Sequence, residues 1–113
     1  MLNQLRALAV FAKTVDHGSF RSAARELQLS PSVVSHHISQ LEEQMGVALL
    51  YRSTRKLSLT RDGERLIDAA RTMVAAAEHG ISAAQDHAEQ LTAEFVSFLA
   101  RQASGNEVRA VQT

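Results

Sequence analysis

The chain has 113 residues, enough for one small domain plus an extension, and its 45% hydrophobic and 21% charged residues are those of an ordinary soluble protein. It has no cysteine, which excludes disulfides and thiolate metal sites, and no apolar run, Met73 to Ala77 included, approaches the length of a membrane span. Its zero net charge hides a split: residues 1–65 carry nine Lys/Arg against six Asp/Glu, a balance of +3, and residues 66–113 carry three against six, a balance of −3. The sharpest basic patch is Arg52, Arg55, Lys56 and Arg61, uninterrupted by acid until Asp62. Local clustering of this kind, more than whole-chain charge, is the electrostatic footprint of nucleic-acid binding. Arg6, Lys13 and Asp16 interrupt the N-terminus, so no signal peptide is expected, and the expected location is the cytoplasm, away from membranes.

In chain order, the spacing of Leu5, Leu8, Phe11, Ala12 and Val15 predicts a first helix from about Leu5 to Asp16, stopped at His17-Gly18. Ser19 caps a second helix from Phe20 to about Leu27, with Phe20, Ala23, Ala24 and Leu27 inward. Gln28, Leu29 and Ser30 form a short turn without glycine. Ser30 then caps a third helix, Pro31 suits its first position, and Gly46 ends it. Val34, Ile38, Leu41 and Met45 fall on one stripe of that helix; Ser32, Ser35, His36 and Ser39 lie opposite, with neither acid nor large apolar group among them. A short polar face on a capped helix, preceded by a helix and a tight turn, is the helix-turn-helix pattern, and its chemistry suits insertion into a major groove. A solvated helix face is the plainer alternative, and the flanking elements weigh against it.

After Gly46 the period changes. Ala48 to Tyr51 reads as a short strand, Arg52 to Arg55 as a turn, and Lys56 to Leu59 as a second strand with alternating polarity, which together make a two-stranded wing with a basic tip. Thr60 caps a long final helix, with Asp62 and Glu64 near its positive end. Its apolar positions are Leu66, Ala70, Met73, Ala77, Ile81, Ala84, Ala88, Leu91, Phe95 and Phe98, a heptad-like stripe with a four-residue stutter between Ala77 and Ile81. A small domain cannot cover so long a stripe, so a partner helix is expected on Leu66, Ala70, Met73, Ala77, Ile81 and Ala84. Ser104-Gly105-Asn106 reads as a stop, with an unstructured tail after it. His36 and His37 point about 100° apart as helix neighbours, and His79 and His87 are poorly spaced, so no metal site is expected.

The run Gly18-Ser19-Phe20, Ala23-Ala24 and Leu27, then Leu29-Ser30 through Val34-Ser35 to Ile38, Leu41-Glu42 and Gly46, resembles the N-terminal domain of LysR-type transcriptional regulators. Leu50, Arg52, Arg55, Leu59-Thr60 and Gly63 are similar to that family's wing and linker-helix start, and the likeness covers roughly residues 5–88. It departs at Pro31, where glutamine is common, at His36 (arginine or lysine), at Leu50 (phenylalanine) and at Asp62 (alanine), so no operator sequence can be carried over. The resemblance implies base or groove contacts by Pro31, Ser32, Ser35, His36 and Ser39, and backbone or minor-groove contacts by Arg52, Arg55 and Lys56. It also implies dimerisation through the linker helix.

The expected fold is therefore mostly α: a winged helix-turn-helix of three helices and a two-stranded β wing at residues 1–60, a linker and dimerisation helix with its extension at 61–103, and a disordered tail at 104–113. The expected function is sequence-specific double-stranded DNA binding in transcription regulation, by a homodimer, possibly a tetramer, on an interrupted palindrome. The alternative is a protein-interaction module that forms mixed dimers with a full-length regulator. No catalysis is expected, for lack of a nucleophile–base pair, a glycine-rich phosphate loop or a metal set, and no cofactor. Members of the family continue into an effector-binding α/β domain, whereas Leu91 to Ala100 reads as an amphipathic helix. The expectation is accordingly a natural short regulator or a truncated piece of a longer one, the first favoured, with no small-molecule effector acting on this chain.

Overall fold

A computed structural model describes the backbone of residues 1–53 and 56–112 and the side chains of residues 1–53 and 56–103. In chain order the elements are α1 (Leu2–His17), α2 (Phe20–Leu27), α3 (Pro31–Met45), β1 (Leu50–Arg52), β2 (Leu57–Leu59) and α4 (Arg61–Gln112). This is the expected winged helix-turn-helix followed by a long helix. The chain divides into two units, Met1–Ala76 and Ala77–Thr113, and the core lies in the first.

Local chemistry sets most of the boundaries. Ser19 and Ser30 accept the backbone N–H of Ser22 (3.0 Å) and Val33 (3.2 Å), satisfying one orphan donor at the start of α2 and of α3. Pro31 occupies the first turn of α3, where its missing N–H is harmless. Gly46 ends α3 in the left-handed conformation at φ 73°. The glycine-free turn after α2 solves the same problem differently: Gln28 itself takes φ 58° and closes the helix, with Leu29 N–H donating to the carbonyl of Ala24 at 2.9 Å. A left-handed conformation costs a non-glycine residue about 1 kcal/mol.

Helix α1 is the central one, packing against α2, α3 and β2. Its buried residues are Ala7, Val10, Phe11, Ala12 and Thr14, with Leu8 and Val15 partly covered, while Leu5 is exposed. The expected stripe through Leu5, Leu8, Phe11, Ala12 and Val15 is therefore corrected. A helix covered from several sides has no single inner stripe. Thr14 can occupy a core position because its hydroxyl donates to the Val10 carbonyl at 2.7 Å. From α2, Ala23 and Ala24 are buried and Phe20 and Leu27 pack against the core, as expected. From α3, Val34, Ile38 and Leu41 are buried but Met45, in the last turn, is exposed.

The wing is antiparallel, with Leu50 opposite Leu59, Tyr51 opposite Ser58 and Arg52 opposite Leu57. Leu50 is buried and Leu57 and Leu59 pack on the core, so one face of the wing belongs to the domain. Period-two alternation places Arg52 on that same face. Thr54 and Arg55, expected at the wing tip, lie outside the described residues.

Two corrections concern α4. The stop expected at Ser104-Gly105-Asn106 is absent: the backbone stays helical to Gln112. An interior glycine lowers helix stability by only about 1 kcal/mol, and no proline follows. Second, the front of the expected dimer stripe is used within the domain. Ile67 and Ala70 are buried in the core, Leu66 and Val74 pack against it, and Met73 is half-buried. Ala70 thus has no surface left for a partner, and Leu66 and Met73 have only part of theirs. Beyond Ala76 every described residue is exposed, including Ile81 and Phe95, which keep 59% and 60% of their accessible surface.

The entry to α4 is locked onto the segment before the wing. Thr60 is buried; its hydroxyl donates to the Ala48 carbonyl at 2.6 Å and accepts the Gly63 N–H at 3.0 Å, while its own N–H donates to the Leu49 carbonyl at 3.0 Å. This crossing is so close that a Cβ on Gly63 would overlap the Leu49 carbonyl oxygen. Gly63→Ala is expected to destabilise the N-terminal unit by about 2–4 kcal/mol. Gly80→Ala adds a methyl in open space and should be neutral or stabilising by up to about 1 kcal/mol. Urea unfolding followed by circular dichroism reads both, and equal effects would contradict this packing.

Candidate nucleic-acid interface

The outer surface of α3 follows from its inner one. With Val34, Ile38 and Leu41 buried, Ser32, Val33, His36, Gln40 and Glu43 stand exposed, and Ser35 and Ser39 lie half-buried on one flank. Pro31 is exposed at the start of the helix, where the Ser30 and Ser32 hydroxyls are 3.1 Å apart. The expected four-residue face is thus split: Ser32 and His36 are open, and Ser35 and Ser39 are engaged. Val33 and Gln40, absent from the expected set, share the open side. The face is acid-free only over its first turns, because Glu43 continues it one turn beyond Ser39.

What covers the flank is Arg52. Its guanidinium donates to Ser35 Oγ at 3.1 Å, to Ser39 Oγ at 2.8 Å and to Glu42 Oε1 at 3.0 Å, and it lies 5.7 Å from the centroid of the Phe20 ring. Ser35, Ser39 and Glu42 follow one another at steps of four and three, so a single side chain on the wing meets all three along one edge of α3. Arg52, expected to reach DNA backbone or minor groove, is here folded back onto the helix, and its charge is matched by Glu42. The alternation Leu50-Tyr51-Arg52 is the signal in the sequence for this, since Leu50 must face the core.

Glu42 does more than pair with Arg52. Its Oε2 accepts the backbone N–H of Leu49 at 2.7 Å and of Leu50 at 3.4 Å. The carboxylate therefore holds the end of α3, the start of β1 and the base of the wing in fixed relation. Bonds to an ionised acceptor are stronger than neutral ones, and this side chain is 15% exposed, so water competes little. In the sequence Glu42 stood only as part of a motif, with no role.

Lys56 is exposed, and it lines a hollow of about 400 Å³ with Gly18, Ser19, Phe20, Arg52, Ser53 and Leu57, between the start of α2 and the wing. The hollow is open to solvent beside the positive end of a helix and a lysine, a setting that suits an anionic group. Arg55 lies outside the described residues. The remaining expected site residues, Ala77, Ile81 and Ala84 on α4, are exposed in the second unit.

Residues 5–64 match the family described as bacterial regulatory helix-turn-helix protein, lysR family. The probable HTH-type transcriptional regulator LtrA of Klebsiella pneumoniae is 45% identical over 83 residues, covering 74% of this chain and 27% of that protein. The HTH-type transcriptional regulator DsdC of Escherichia coli is 51% identical over 63 residues, 56% of this chain and 20% of its own length. The chain thus spans about a quarter of the length of the curated relatives it matches. Among solved structures, the BenM DBD in its complex with catB site 1 DNA superposes with a TM-score of 0.65 at 30% identity, over 74% of this chain and 94% of that one. CbnR, a LysR family transcriptional regulator, does so with a TM-score of 0.61 at 28% identity, over 72% of this chain and 28% of that one.

The geometry around Glu42 makes a direct prediction. Glu42→Ala removes the acceptor for two backbone donors and should destabilise the domain by about 1–3 kcal/mol, with faster amide exchange at Leu49 and Leu50. Glu42→Gln keeps a neutral acceptor and should fall between. Unchanged exchange at both amides in Glu42→Ala would show that the wing is held by other means.

Proposed function

This chain belongs to the lysR family of bacterial regulatory helix-turn-helix proteins, and on that footing we propose that it binds double-stranded DNA sequence-specifically, as a homodimer, to regulate transcription. The observation that carries the reading is the open polar face of α3, with Ser32 and His36 at its centre, beside a wing braced against the same helix. It is supported by the likeness to the BenM DBD, a structure solved on DNA, almost all of which the chain covers.

In this reading α3 enters the major groove. The hydroxyls of Ser32, Ser35 and Ser39 and the two-way imidazole of His36 meet base edges, with Pro31 beside them. Lys56, beside the start of α2, takes backbone phosphate. One recognition helix with a few phosphate contacts binds weakly. Two of them, set about 34–36 Å apart or a multiple of that, read the two halves of an interrupted palindrome. The apolar residues of α4 from Ala77 onward provide the association, since Ile81, Leu91, Phe95 and Phe98 are exposed in one chain and would be covered in a pair.

Gel shifts on a selected duplex and on random duplex, across a salt series, test the DNA reading. His36→Ala should weaken the selected duplex by about 1–3 kcal/mol and leave random duplex little changed. Lys56→Ala should weaken both alike and make the salt slope shallower by about one unit. Equal losses on both duplexes for His36→Ala would remove it from the reading face. Sedimentation velocity tests the assembly: Ile81→Asp would place an unpaired carboxylate in the apolar seam, at a cost of several kcal/mol in each copy. The variant should be monomeric at micromolar concentration, and a stable dimer would move the interface elsewhere.

A further inference from the structure

We infer that Arg52 is a specificity-positioning residue, which fixes Ser35 and Ser39 as hydrogen-bond donors and so selects guanine or thymine over cytosine beneath them. The inference rests on the DNA-binding reading above and adds what the flank of α3 recognises.

A serine hydroxyl in solution both donates and accepts, so by itself it distinguishes bases poorly. A guanidinium has no such freedom: it only donates. The bonds from Arg52 to Ser35 Oγ at 3.1 Å and to Ser39 Oγ at 2.8 Å must therefore run from arginine to serine, and each occupies an oxygen lone pair. Donation from a cation also polarises the hydroxyl, strengthening its O–H as a donor and weakening the lone pair that remains. The usual outlet for a helical hydroxyl proton is the carbonyl four residues back. Thr14, Thr72 and Thr92 all take it, donating to Val10, Asp68 and Ala88 at 2.7, 2.8 and 2.9 Å. Among the described residues Ser35 and Ser39 make no such bond; their side chains accept from Arg52. Each thus holds an activated proton with no acceptor among the described residues, at the edge of the proposed reading face.

The complementary partner is an acceptor. In the major groove guanine presents N7 and O6 and thymine presents O4, whereas cytosine presents the N4 amino donor. The Arg52 guanidinium that reaches the serines also meets Glu42 at 3.0 Å, over the Phe20 ring, so its charge is offset there. Its action on DNA runs through the two serines.

Selection from a randomised duplex library, with the full chain, tests this. Wild type should enrich guanine or thymine over cytosine at one or two positions of each half-site, and Ser35→Ala and Ser39→Ala should each erase one of those preferences. Arg52→Ala should lower the discrimination against cytosine there by about fivefold, the worth of one hydrogen bond, leaving the other positions and the salt slope unchanged. Arg52→Lys, still a pure donor, should retain most of it. If Arg52→Ala does not fold, the double variant Ser35→Ala/Ser39→Ala carries the test, since it must lose both preferences while Arg52 stays on Glu42. A common loss on all sequences with a shallower salt slope would make Arg52 a phosphate contact and overturn the inference, as would an unchanged base preference. A wild-type protein that enriches no sequence would instead overturn the DNA-binding reading itself.

Discussion

Everything on the functional side of this domain depends on one carboxylate. Glu42 sits in the last turns of α3 and accepts from Leu49 N–H, Leu50 N–H and the Arg52 guanidinium, so the helix, the strand after it and the wing are tied at one point. A two-stranded ribbon of three residues a side is not stable alone. It persists because one of its faces is buried on the core and its base is pinned to α3. Without that tie, the wing and the exposed face of α3 would move independently.

The second constraint stands at the other end of the wing. Thr60 bonds back to Ala48 and Leu49, and Gly63 passes so close to the Leu49 carbonyl that no side chain fits. The segment Ala48–Leu50 is therefore gripped from both sides, by Glu42 before the wing and by Thr60 after it. The start of α4 is set by the same backbone atoms that set the wing. Mechanically, α3, the wing and α4 meet at one shared anchor, and Ile67 and Ala70 extend that anchor into the core.

Much of this was legible in the sequence because it is local. Serine caps, Pro31 in a first turn and Gly46 past a last one mark α2 and α3 without reference to anything distant, and a switch from helical to alternating spacing marks the wing. What was not legible depended on neighbours. Periodicity reports that a face is buried, not what buries it: Leu66 and Ala70 sit on a true apolar stripe, but their own domain takes it up first. In α1 the surroundings close from several sides, so Ala7 and Thr14 are core while Leu5 is not. Arg52 reads as a basic tip when its charge is counted without its partner, and Glu42, ten residues before it, is a partner that only the folded chain brings near. The turn at Gln28 belongs here too: its left-handed backbone is stabilised by the α2 closing bonds rather than by residue type.

The central claim is that α3, braced by the wing, is the surface that meets DNA, with the exposed apolar part of α4 reserved for a partner. Titrating an isotope-labelled chain with a short selected duplex and following backbone amide resonances tests it most directly. The account predicts that Ser32, Val33, His36 and Lys56 shift first and furthest, with little change between Glu78 and Leu99. Shifts confined to that last segment, with α3 untouched, would contradict it.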